Sequence, residues 1–266
     1  MSTLKSRDLQ RPIKVDEPTL RGDPINGERY TSPEFFDAEW NRMWMRTWQI
    51  GGLLSEAPEP GDYKNAELGK ESILLVHQDG GIVHMVDEDK RAWHAGKSSW
   101  EGAGDVNSRS VGIEVCNPGH GDDYHDFPDA QIEAVIALSN DIVARHAIQP
   151  RHVLAHSDVA PGRKIDPGEK FPWARLAERG IGLWVTPAAI ADGPVLDQGA
   201  SGAQVAELQQ NLAAYGYGID ITGDYDAATA TVVQAFQLHF RPQLCDGRAD
   251  VSTIATLEAL LAAHSA

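Results

Sequence analysis

The sequence predicts an α/β layer followed by a compact three-helix module. Two observations carry the first half: strand-length apolar runs alternate with helical-period stretches, and Gly, Pro and Asp fill the turns between them. One observation carries the second. After residue 195, apolar triplets at i, i+3, i+7 occur as Val205-Leu208-Leu212, Val233-Phe236-Phe240 and Ile254-Leu257-Leu261.

Residues 1–28 are polar, charged and proline-bearing, the composition of a poorly ordered lead-in. Residues 29–81 open with YTSPEFFDAEWNRMWMRTWQIGG. There Ser32 can cap a helix with Pro33 at its first position, and Phe36, Trp40, Met43 and Trp44 share a face. The run ESILLVHQDGGIVHMV then reads as two strands about an Asp79-Gly80-Gly81 turn.

Residues 82–190 form the middle segment. A loop-rich stretch, AWHAGKSSWEGAGDVNSRS, leads to a short strand over Val111 to Cys116. Ile132, Val135, Ile136 and Val143 stand at helical spacing and predict a helix over 129–146. Val153-Leu154-Ala155 is a short apolar run, so His156 is expected to end a strand. FPWARLAERG is a short helix stopped at Gly180. After the linker TPAAIADGP, residues 195–266 hold the three helices, separated by YGYGIDITGDYD and CDGRAD. A generic helical bundle would show the same periodicity.

At 266 residues there is room for one large domain or two to three small ones. A net charge of −16 argues against a nucleic-acid partner, since phosphate binding wants a basic face. The two cysteines, Cys116 and Cys245, are far apart and neither has a CxxC partner. No run of eighteen apolar residues predicts a membrane span. The first eighteen residues contain no apolar core of a secretory signal, so the expectation is a cytoplasmic protein; a periplasmic or cell-wall location is the alternative.

The stretch HSDVAPGRKIDPG, residues 156–168, is where chemistry is expected. A histidine and a loop aspartate, His156 and Asp166, can hold two corners of a tetrahedral metal site. With KRAWHAGKSSWEG and NSRSVGIEVCNPG before it, in that order, AHSDVAPGRKIDPGEKFPW resembles the AmpD-like zinc N-acetylmuramoyl-L-alanine amidases. The final segment, with GASGAQVAELQQNLAAYGY, GDYDAATATVVQAFQLHF and DGRADVSTIATLEALL, resembles a peptidoglycan-binding helical domain that follows such amidases.

The first resemblance implies a mixed central sheet flanked by helices. It also implies hydrolysis of the amide between N-acetylmuramic acid and L-alanine, with one Zn²⁺ held by two histidines and an acidic residue. By match to the motif, His156 and Asp166 are ligands, Glu114 the general base, and Lys164 the cation facing the developing oxyanion. Otherwise Glu114 is a strand carboxylate paired with a lysine or arginine. His94 matches a cleft-lining stretch and would touch substrate, or else is a loop histidine packed beside Trp93. Arg163 could meet a substrate carboxylate in a bidentate contact, or be a solvated loop charge. Asp158 reads as a turn residue or a support for a ligand.

The family's first zinc histidine sits on an early strand, yet residues 1–76 hold no histidine. In place of that strand, the segment from YTSPEFF to VHQDGG resembles the leader of Rieske-type ring-hydroxylating oxygenase α subunits. The CxH and CxxH motifs that would hold an iron–sulfur cluster are absent: Asn-Pro-Gly follows Cys116 and Asp-Gly-Arg follows Cys245. The chain reads as a hybrid of leader and amidase. His77, at the end of the apolar run SILLV, is the candidate for the third ligand; a surface hairpin histidine is the alternative. The expectation is a zinc amidase acting on peptidoglycan or muropeptides, with a peptidoglycan-binding protein that lacks turnover as its rival.

Overall fold

The computed structural model describes residues 73–76, 79–84, 88, 93–121 and 123–264. The chain divides into two compact units at Ala66/Glu67, and all the described residues fall in the second. The lead-in, the Ser32-capped helix and His77 lie outside the described residues.

Strands β1 (Ile73–Val76) and β2 (Ile82–His84) pair antiparallel, Leu75 opposite Val83. The turn between them is set by chemistry read from the sequence. Gly80 has φ 87°, where a Cβ would meet Ala130 O at 2.8 Å, and Asp79 Oδ1 accepts the Gly81 N–H at 2.9 Å. A parallel pairing adds β5 (Gly112–Val115), with Leu75 opposite Glu114 and Val76 opposite Val115. The sheet order is β2-β1-β5, so the sheet is mixed, as the fold expectation required. Between β2 and β5, the two-residue strands β3 (Ser99–Trp100) and β4 (Ala103–Gly104) form their own small ladder.

Helix α1 (Asp129–His146) matches the predicted span. Its apolar face buries Ile132, Val135, Ile136 and Ile142, and it ends where Ala147 turns left-handed at φ 52° and donates its N–H to Val143 O. Phe127, Phe171, Trp173, Leu176 and Ile181 complete this core, with Ile113 and Val115 of β5 packed against it. Helix α2 (His156–Val159) is one turn long, and α3 (Trp173–Ala177) follows. The left-handed Gly180, at φ 80°, lies just beyond α3 as predicted.

The strand expected over Val153–Ala155 is corrected. Val153 and Ala155 do have extended dihedrals, φ −94° and −77°, but no described strand pairs with them. β5 is the last strand of its sheet among the described residues, and a cleft opens between it and this segment. An extended run becomes a strand only when a neighbour takes its N–H and C=O groups. His156 therefore begins a helix instead of ending a strand.

The three C-terminal helices are α4 (Ala203–Tyr215), α5 (Ala227–Phe240) and α6 (Val251–His264). Each of the first two carries a buried glutamine that stitches the turn ahead of the next helix. Gln209 accepts from Thr222 N and Gly223 N and donates to Asp224 O; Gln237 accepts from Gly247 N and donates to Arg248 O. Both turns end in the same cap: Asp226 accepts the Thr229 N–H at 2.8 Å and Asp250 that of Thr253 at 2.7 Å. This internal echo is visible in the sequence once seen, as GDYDAAT and GRADVST. The helical core is shared with the α/β layer: Trp100, Val159 and Ala160 pack with Leu208, Leu212, Phe236, Phe240 and Leu257. No helix among the described residues is long and apolar enough to cross a membrane.

Candidate active site

A cleft of about 300 Å³ lies along β5. His94, Glu114, His156 and Asp166 line it together, so four of the eight residues singled out in the sequence converge. Lys164 and Arg163 are near in sequence but do not line it. His77 lies outside the described residues.

The loop 156–168 is folded so that its first residue meets its end. The Ser157 N–H donates to Asp166 O at 3.0 Å, and His156 Nδ1 donates to Asp166 Oδ2 at 2.9 Å. Burial pushes the Asp166 carboxyl up. The hydrogen bond and charge of His156, with the charge of Lys164, outweigh it, so the group stays below the ordinary carboxylate range. His156 Nε2 lies 3.3 Å from both Arg163 Nη2 and Ala95 O.

Arg163 is a bracket and not a free clamp. Its Nε donates to Lys97 O at 3.0 Å and its Nη2 to Ala95 O, so the guanidinium ties the His94–Lys97 loop to the His156 loop. The bidentate geometry that recognises carboxylates has been turned on backbone carbonyls. Arg163 is exposed, so it remains a loop charge in contact with solvent while it makes these backbone contacts, and the sequence carries no signal of them. Asn107 grips the same loop from the other side and was missed by sequence reasoning. Its Oδ1 accepts from Ala95 N and Gly96 N, and its Nδ2 donates to Gly96 O. Asn107 is 2% exposed, and an asparagine in a polar loop gives no warning of that.

His94 lies over Gly112 of β5. A Cβ there would come within 2.6 Å of the imidazole, which is why this strand position is glycine. Ser110 Oγ donates to Val106 O at 2.7 Å, so it accepts from His94 Nε2–H at 2.8 Å. The proton is thereby placed on Nε2. Nδ1 is left as a buried lone pair with no hydrogen-bond partner among the described residues. Burial first, and the charge of His156 second, push the His94 pKa down to about 4. His94 is a neutral imidazole at physiological pH.

Glu114 is exposed on β5 and makes no ion pair among the described residues, unlike the paired strand carboxylate that was its alternative. Lys164 is half-buried, with its backbone N–H donated to Ala160 O. Asp158, a turn or support residue by sequence, is 0% exposed and faces away from the cleft. It accepts from Ala155 N at 2.8 Å, from Tyr217 Oη at 2.6 Å and from His239 Nδ1 at 2.7 Å. Burial, then the Asp158 carboxylate, holds the Tyr217 phenol far above its ordinary range, so it remains a donor.

The geometry can now be set beside known proteins. The family model for N-acetylmuramoyl-L-alanine amidase matches residues 52–169, and a peptidoglycan binding domain model matches 201–257. The N-acetylmuramoyl-L-alanine amidase AmiD of Escherichia coli is 42% identical over 186 residues, covering 68% of this chain and 67% of that protein. The chain belongs to the N-acetylmuramoyl-L-alanine amidase family. The 1,6-anhydro-N-acetylmuramyl-L-alanine amidase AmpD of Enterobacter cloacae is 39% identical over 125 residues, 47% of this chain and 65% of that protein. The chain spans about two thirds of the length of these curated relatives. Among solved structures, the AmiD complex with anhydro-N-acetylmuramic acid-L-Ala-D-γ-Glu-L-Lys aligns with a TM-score of 0.62 at 40% identity, covering 71% of this chain and 78% of that one. AmpDh3 of Pseudomonas aeruginosa aligns at 0.60 and 32% identity, covering 74% and 83%. The amidase match begins inside the 29–81 segment and takes in every candidate residue, His77 included.

The family resemblance implies zinc, and the donors can be tested against it. His156 and Asp166 are of the right chemical types and already adjacent. Among the described residues, no group of three His, Cys, Asp or Glu could hold a metal ion. The described residues supply two donors and stop there.

Proposed function

We propose that this chain hydrolyses the amide between N-acetylmuramic acid and L-alanine in muropeptides or peptidoglycan. The observation that carries the reading is Glu114, a carboxylate without an ion-pair partner among the described residues, in the same cleft as the His156–Asp166 pair, in a chain of the amidase family. The substrate bound to AmiD in its solved complex, an anhydromuramic acid bearing a short stem peptide, is the type this reading assigns to the chain.

Amide hydrolysis at neutral pH needs a nucleophilic water and a proton for the leaving amine. Glu114 is the base that takes the proton of the attacking water and returns it to the amine. Lys164, whose charge already acts on Asp166, is the cation for the charge that develops on the carbonyl oxygen. Zinc, when bound, would polarise that carbonyl and lower the pKa of a water to about 7. His156 and Asp166 are two of its ligands in this reading. The third is assigned to His77, the residue after Val76, whose register partner Val115 adjoins Glu114.

The test is mass spectrometry of the products from a soluble anhydro-muropeptide and from insoluble peptidoglycan, with zinc supplied. The expected product is a free stem peptide beginning with L-alanine. Turnover of the soluble substrate alone would mark a recycling activity, and turnover of both a wall-directed one. Retention on peptidoglycan without turnover of either would favour the rival reading, a binding protein, which the 201–257 match supports.

A further inference from the structure

The turn that carries His156 is held from behind by the C-terminal helices. His156 opens α2 toward the cleft, and Asp158, two residues on, points the opposite way into a fully buried site. There its two carboxylate oxygens are divided. Oδ2 takes the Ala155 N–H at the start of α2 and His239 Nδ1–H from α5, while Oδ1 takes the Tyr217 hydroxyl from the turn after α4. A buried carboxylate with three donors in fixed directions has no slack.

The two donors from the helical module are themselves wedged. His239 is stacked on Trp173 of α3 at a centroid distance of 3.9 Å and on Phe240 at 3.8 Å. The Tyr217 ring meets Trp100 edge-on at 5.1 Å, and the neighbouring Gly216 O accepts the Glu101 N–H at 2.8 Å. Gly162, in the same loop as His156 and Asp166, packs so closely on Thr231 of α5 that a Cβ would come within 2.6 Å of its methyl. Three separate contacts thus tie the loop 156–168 and the strand pair before it to α4 and α5.

We infer that Tyr217 and His239 are positioning residues for the amidase site, acting through Asp158 on the one-turn helix that presents His156. The helical module is then a structural part of the catalytic unit as well as a wall-binding one. This rests on the amidase reading above, so the test has an arm that does not need turnover.

In the full-length chain, Tyr217→Phe removes one hydroxyl and keeps the ring. The expected result is a kcat on soluble anhydro-muropeptide reduced on the order of ten- to a hundred-fold, the size of effect that a small misplacement of a catalytic group produces. KM and retention on insoluble peptidoglycan should stay within about two-fold. His239→Leu should behave alike, and His239→Asn, which restores an N–H donor near the Nδ1 position, should recover most of the loss. An unchanged kcat in Tyr217→Phe and His239→Leu, or no recovery in His239→Asn, overturns the inference. The second arm is amide hydrogen exchange at Asp158 and Ala160, whose N–H groups bond Ala155 O and His156 O. Tyr217→Phe should speed exchange there about ten-fold and leave α1 and α6 unchanged. Equal rates at Asp158 and Ala160, or acceleration spread evenly over all helices, overturn it even if the wild type proves inactive on every substrate.

Discussion

At the scale of single residues, chemistry at the cleft depends on which groups are already spoken for. Glu114 has no ion-pair partner to lose among the described residues, so Glu114→Gln should leave the thermal midpoint and any bound zinc unchanged. It should lower kcat by about a hundred-fold or more, the usual worth of a general base. Equal turnover would remove Glu114 from the mechanism. His94 yields a pH prediction. Its folded pKa lies near 4, and an unfolded histidine titrates near 6.5, so between these values the unfolded chain binds more protons. The contribution of His94 to stability is therefore fully present above about pH 6.5 and is lost as pH falls from there toward 4. Urea midpoints at pH 7 and pH 5 check this: the wild type should lose more than His94→Gln over that interval. Motif matching found Glu114, His94, His156 and Asp166. It gave no sign of the bonds from Arg163 to the Ala95 and Lys97 carbonyls, because those lie sixty-odd positions away in the chain.

At the scale of elements, periodicity was a sound guide wherever an element packs by its own stripe. Helix α1 begins and ends where its apolar spacing says, and Ile132, 0% exposed, anchors it. Ile132→Ala should cost about 3 kcal/mol, read as a shift in urea midpoint at constant slope. The C-terminal helices were legible for the same reason: Leu212, Val233, Phe236 and Phe240, all predicted core positions, are fully buried. The segment 153–155 was not legible. Its residues have strand composition and strand dihedrals, yet a strand is a relation between two segments, and no described strand pairs with this one. The one-turn helix α2 was missed because four residues, His-Ser-Asp-Val, carry no period. Its stability comes from Asp158 accepting the Ala155 N–H, and from the ends of the loop closing on each other.

At the scale of the whole molecule, the helical module and the α/β layer share a core that runs through Trp100, Val159 and Ala160. Ending the chain at Pro194 should lower the thermal midpoint by about 5 °C or more, since each ~1 kcal/mol lost shifts it by about 2–4 °C at this size. An unchanged midpoint would show two modules that merely adjoin. Zinc content tests the site as a whole. Elemental analysis should find about one zinc per chain, lost in Asp166→Ala and in His77→Ala. Retention of the metal by His77→Ala would show that the third donor lies elsewhere.

By itself the sequence determined the family, the two-part architecture and the identity of the groups that meet at the cleft. Ordered motifs and helical periods are local properties, and the chain is 42% identical over 186 residues to a known amidase. Only the tertiary structure decided how those groups are held. Asp158 stands inside the 156–168 motif, but nothing there names its partners, and His239 is one of ten histidines with nothing nearby to mark it. They matter because folding brings positions 158, 217 and 239 within hydrogen-bond reach in a fully buried site, where each donor has a single acceptor to satisfy.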